Sequence, residues 1–177
     1  MDNCCFNRPF DGQSQLLVRL ETEAKLFIQE GIKNGTFELV WSYIIDIENN
    51  ANPYQRRKKT VQAWKRFAVT DIEESEELLV IMESFEKRKA KPMDALHLAA
   101  AVVASADFLI TTDIGMLNKP ITEISAVSPE KFVRFLLEEV FNWKLCFSEG
   151  LWIFRSLWFR NRIFGGQWIF RNLWPPP

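Results

Sequence analysis

The chain holds a single histidine, three cysteines and no uninterrupted stretch of about 18 apolar residues, and each shortage excludes something. Cys4, Cys5 and Cys146 are too few and wrongly spaced for a zinc finger or a disulfide framework, so a reducing compartment is expected. Without a long apolar run no membrane span is expected. The opening Met1-Asp2-Asn3-Cys4-Cys5-Phe6-Asn7-Arg8 shows neither the basic start nor the apolar centre of a signal peptide, which points to the cytoplasm. A strong charge of one sign is also missing, because the net charge is −1. That balance hides an asymmetry. After Glu149 come Arg155, Arg160, Arg162 and Arg171 and no acid; removing those four from the 22 basic groups leaves 18 against 23 acids, net −5 over the first 150 residues. A nucleic-acid partner would have to be met by local basic patches rather than by the overall field.

What is present is the composition of a globular domain, 47% hydrophobic and 25% charged, at a length that suits one domain and a tail. Residues 13–34 place Leu16, Leu20, Ala24, Phe27, Ile28 and Ile32 on one helical face, and Gly35 follows as a stop. Phe37 to Trp41 reads as a strand, Ser42 as the start of a helix that Asn52-Pro53 ends. Further helices are predicted over 54–68 and 73–89. Pro92 opens an alanine-rich, nearly all-apolar helix through Ser105, Phe108 to Thr112 and Ile124 to Val127 read as strands, and Ser128-Pro129-Glu130 starts a last helix reaching Phe141. Strands alternating with helices, without hairpin turns, predict an α/β fold with a parallel sheet. Beyond it, Trp152-Ile153-Phe154-Arg155-Ser156-Leu157-Trp158 recurs as Trp168-Ile169-Phe170-Arg171-Asn172-Leu173-Trp174, two copies being too few for a solenoid. The division expected is a domain over 1–141 and an aromatic-rich extension over 142–177.

The acids carry the chemistry. A helix from Asp94 to Ser105 runs about 17 Å at 1.5 Å per residue, and a strand from Asp107 to Asp113 returns roughly 20 Å at 3.3 Å per residue. The chain reversal therefore brings Asp94 and Asp113 to the carboxyl edge of the sheet, and Glu48, in the helix that follows an earlier strand, rises from the same edge. Carboxylates gathered there repel unless a hard cation lies between them. Composition alone would equally admit Asp11, Asp46 or Asp107, and spacing does not choose among them.

Four segments do choose. Asp2-Asn3-Cys4-Cys5-Phe6-Asn7-Arg8-Pro9-Phe10-Asp11, Trp41-Ser42-Tyr43-Ile44-Ile45-Asp46-Ile47-Glu48-Asn49-Asn50, Asp94-Ala95-Leu96-His97-Leu98-Ala99-Ala100-Ala101 and Ala106-Asp107-Phe108-Leu109-Ile110-Thr111-Thr112-Asp113 resemble the successive motifs of PIN-domain proteins of the VapC-like kind. The resemblance runs from Asp2 to about Phe141. It implies a three-layer α/β/α, Rossmann-like parallel sheet. It also implies Mg²⁺ or Mn²⁺ held by Asp2, Glu48, Asp94 and Asp113, hydrolysis of RNA phosphodiester bonds, and a toxin paired with a small antitoxin and forming homodimers. Members of that family carry a hydrophobic strand ahead of the first acid, where this chain has only Met1, so the first strand is expected to be missing. The alternative is a degenerate PIN fold that binds protein without cleaving anything.

Other residues admit two readings. His97 is read as a packed histidine or one that orients a ligand, Thr111, Thr112 and Asn118 as donors orienting the acids. Cys4 and Cys5 are read as small hydrophobes. The basic run Arg56 to Lys59 with Lys65 and Arg66, and the run Lys87 to Lys91, are candidate phosphate contacts or solvated helix faces.

Overall fold

The computed structural model describes residues 1–148; the aromatic repeat lies outside the described residues. The chain divides into a unit over Met1–Leu136 and another over Leu137–Pro177, so the division falls a few residues earlier than 141. The first unit is a mixed α/β body. Its order is α1 (Asn3–Asn7), a 3-10 turn Arg8–Phe10, α2 (Leu16–Lys33), β1 (Leu39–Ser42), α3 (Tyr43–Asn50), α4 (Gln55–Gln62) and a second 3-10 turn Lys65–Phe67. There follow β2 (Ala68–Ile72), α5 (Glu76–Lys87), α6 (Pro92–Val103), β3 (Phe108–Ile110), α7 (Ile114–Leu117), β4 (Ser125–Val127) and the start of α8 (Pro129–Ser148).

The strands pair in parallel as predicted, β1 with β2 and β3 with β4, forming two two-stranded sheets. The Asp2 N–H donates to the Ile110 carbonyl at 3.0 Å, so the backbone entering α1 lies against the end of β3. Burial organises the rest. Ala95, Ala99, Ala100 and Ala101 give α6 a surface thin enough to pack on β1, β3 and α3, and Leu98, fully buried among them, contributes about 1.5–3 kcal/mol. A second cluster joins Cys5 and Phe6 of α1 to Ile28 and Ile32 of α2 and to Trp41 and Ile110 of the strands.

Two expectations are corrected. The helix predicted over 54–68 stops at Gln62, because the chain turns so that Trp64 and Phe67 can stack near Phe6; Ala68–Ile72 then pairs with β1 as a strand the sequence pattern did not reveal. The helix over 16–33 forms, but turned about its axis. Leu16, Leu20 and Phe27 are exposed, whereas Val18, Glu21, Thr22, Lys25, Ile28, Gln29 and Ile32 face inward with Ala24. Arg8, projecting from the first 3-10 turn, is the reason: its guanidinium pairs with Glu21 and its carbonyl accepts from the Thr22 hydroxyl, which locks that face of α2 toward the core.

Candidate functional site

Each proposed acid is placed by a local feature. Asp2 caps α1, its Oδ1 accepting from the Cys5 N–H at 2.8 Å, and it is buried. Asp113 caps α7 immediately beyond β3, its Oδ1 accepting from the Met116 N–H at 3.1 Å. Asp94 sits in the first turn of α6, where a carboxylate opposes the positive end of the helix. Glu48 lies on α3 directly after β1.

Tertiary packing then ties them together through neutral and basic side chains. The Thr111 hydroxyl donates to the Asp2 carboxylate and accepts from the Asp113 N–H at 2.9 Å, bridging two of the four. His97 Nε2 lies 2.9 Å from Glu48 Oε2, and its imidazole also acts on Asp2. One turn earlier on the same helix, Asp94 Oδ2 accepts from Lys119 Nζ at 2.9 Å. The chain reversal thus brings Asp94 and the segment following Asp113 to the same end of the domain.

The electrostatics follow from burial and crowding. Desolvation raises the Asp2 carboxyl above the usual carboxylate range, partly countered by His97, Thr111 and the Cys5 N–H. Burial also pushes the Cys4 thiol up to about 12, and the negative charges of Asp2, Glu48 and Asp113 add to the effect. Cys5 is raised likewise, so neither cysteine is a stabilised thiolate and the reading of both as small hydrophobes stands. That Asp2, Glu48 and Asp113 all act on one thiol shows how closely these three acids gather. A cleft of about 570 Å³ opens beside them, lined by Asn3, Cys4, Asn7, Arg8, Thr112 and Asp113 among others.

The chain matches no protein-family model, no curated protein and no solved structure. The site therefore has to be judged on its own chemistry. Four carboxylates and a threonine hydroxyl are hard oxygen donors of the kind that suit Mg²⁺ or Mn²⁺, and Mg²⁺ needs only one or two carboxylates because it keeps several waters. Among the described residues, however, no three Asp, Glu, His or Cys side chains stand arranged around one point. The reason is visible in the partners: Asp2 is held by Cys5 and Thr111, Glu48 by His97, Asp94 by Lys119 and Asp113 by Met116. The donor chemistry fits a hard dication, with Asp94 and Glu48 needing only to exchange a cationic or imidazole partner for it.

Of the other acids that composition allowed, Asp46 is committed to the Trp41 indole N–H and to Lys65, and Asp11 to Arg8. Much of the basic run is structural too. Arg57 donates to the Phe10 carbonyl and stacks on Phe10 and Tyr54, Lys58 donates to the Asn50 carbonyl, Lys65 pairs with Asp46 and Asp71, and Arg88 pairs with Glu123. Lys119 is the one site residue that sequence reasoning passed over. Its only signal was position, a lysine six residues beyond Asp113 in the loop leaving the acidic end.

Proposed function

We propose that residues 1–141 form a PIN-like, metal-dependent endoribonuclease domain of the VapC-like toxin kind, folded as an α/β/α sandwich and acting in the cytoplasm. The observation that carries this reading is the gathering of Asp2, Glu48 and Asp113 around the Cys4 thiol, bridged by Thr111 and His97 and opening on the cleft. Negative charge concentrated in that way has an energetic cost that a bound cation removes. Asp2, Glu48, Asp94 and Asp113 would hold Mg²⁺ or Mn²⁺, which when bound supplies Lewis-acid polarisation of the scissile phosphate and acidifies the attacking water. The protein's own groups orient the donors: Thr111 sets Asp2 relative to Asp113, and His97 sets Glu48. Asn3, Asn7 and Arg8 line the cleft where a single strand of RNA would lie.

The test is cleavage of a fluorescent single-stranded RNA. Cleavage is expected with Mg²⁺ or Mn²⁺ and lost in Asp94→Asn, where the amide keeps the shape of the carboxylate without its charge. Equal cleavage in excess EDTA would overturn the mechanism.

A second reading, a fold that binds protein without catalysis, draws on a separate observation. The exposed Leu16, Leu17, Leu20 and Phe27 of α2 are the kind of apolar surface that a small antitoxin or a second copy of the chain would cover. A chain that neither cleaves RNA nor binds Mn²⁺, yet forms a stable complex, would favour it.

A further inference from the structure

The Lys119–Asp94 pair is the contact in the site that the reading above leaves without a role. Both partners are largely buried, with 20% and 11% of their side-chain surface exposed, and Nζ lies 2.9 Å from Oδ2. The lysine is carried just beyond α7, the element that Asp113 caps, so one short segment delivers an acid and a cation to the same end of the domain. A carboxylate cannot serve an ammonium and a hard dication at the same oxygen, since the two cations repel. Displacing Lys119 from Asp94 leaves a flexible four-carbon stem whose charge remains beside the acids, within reach of any phosphate that shares the ion. Lysine binds phosphate as such a point charge.

We propose that Lys119 is a substrate-positioning residue with two alternative partners: it occupies Asp94 until a divalent ion takes the carboxylate, then contacts the RNA phosphate next to the scissile bond. This inference rests on the nuclease reading, and it makes two demands that reading does not. Removing the lysine must tighten metal binding, because an internal competitor is lost, and must weaken RNA binding, because a phosphate contact is lost.

The experiment measures free Mn²⁺ by electron paramagnetic resonance for the full chain, Lys119→Met, Lys119→Arg and Lys91→Met, in the absence of RNA. Lys91 is an exposed lysine that begins α6, so its removal takes the same charge from near Asp94 without touching the pair. Lys119→Met is expected to bind Mn²⁺ roughly threefold to tenfold more tightly, the affinity equivalent of a partly buried ion pair. Lys91→Met and Lys119→Arg should stay near the parent. In cleavage assays Lys119→Met should raise KM for a single-stranded RNA, and the slope of log KM against log salt should fall by about 0.7, one phosphate contact. Unchanged or weaker Mn²⁺ binding in Lys119→Met overturns the proposal, as does tighter Mn²⁺ binding with an unaltered KM and salt slope. A parent chain that binds no Mn²⁺ sinks the nuclease reading itself, and the Lys119 proposal with it; the parent and the variant thus report on the two separately.

Discussion

Lys25 offers a test of the core that is independent of any activity. It lies on the inward face of α2, 4% exposed, and none of the ion pairs among the described residues includes it. Burial, the largest influence on it, lowers its ammonium from the ordinary 10.5 to about 8. A fall of that size corresponds to roughly 3 kcal/mol against the charged form, at 1.36 kcal/mol per tenfold change in proton affinity. At pH 7 both folded and unfolded chains carry the proton, so the folded chain bears the whole cost. Between about pH 8 and 10.5 the folded chain has released the proton and the unfolded chain has not. Stability then rises with pH, and the cost is gone once both are neutral. Lys25→Met keeps the length of the side chain and the helix propensity while removing the charge. The variant is expected to be more stable at pH 7 by about 1–3 kcal/mol, or 2–4 °C in Tm for each kcal/mol. The advantage should shrink on going to pH 10. Urea midpoints of both proteins at the two pH values decide it, since the titrations they share cancel in the difference. A variant less stable than the parent, or an advantage that does not change with pH, would refute the reasoning by showing that the ammonium is paired or hydrated.

Two further outcomes follow from the geometry. Asp2→Asn keeps the acceptor for the Cys5 N–H and removes a charge whose carboxyl burial raises; ionised Asp2 costs stability at neutral pH and costs nothing in acid, where it is protonated in both states. Calorimetry should therefore show a gain of about 0.5–2 kcal/mol at pH 7 that fades toward acid, while metal-dependent RNA cleavage is lost. Ser105 ends the turn after α6 at φ 50°, a left-handed conformation that costs a residue with a Cβ about 1 kcal/mol, so Ser105→Gly should raise the urea midpoint without altering the secondary structure seen by circular dichroism.

The local elements were legible because their causes are local. Ser75 caps α5, Pro92 sits in the first turn of α6 and Pro129 in that of α8, and helix periodicity filled the intervals, so these three helices were predicted within a few residues. The placement of Asp94 and Asp113 at one end needed only the lengths of a helix and a returning strand. What the pattern could not provide was the outcome of competition between surfaces. The periodicity of residues 16–33 specified a helix and an apolar face, but Arg8, pairing with Glu21, decided which face was turned inward. Ala68–Ile72 has little intrinsic pattern and is a strand because β1 lies beside it to accept its hydrogen bonds. The same holds for the site: His97 meets Glu48 across 49 residues and Lys119 meets Asp94 across 25. The identity of an acid is written in the sequence, but its partner depends on which side chains folding brings within 3 Å. That is why the carboxylates could be named in advance and the cation held against one of them could not.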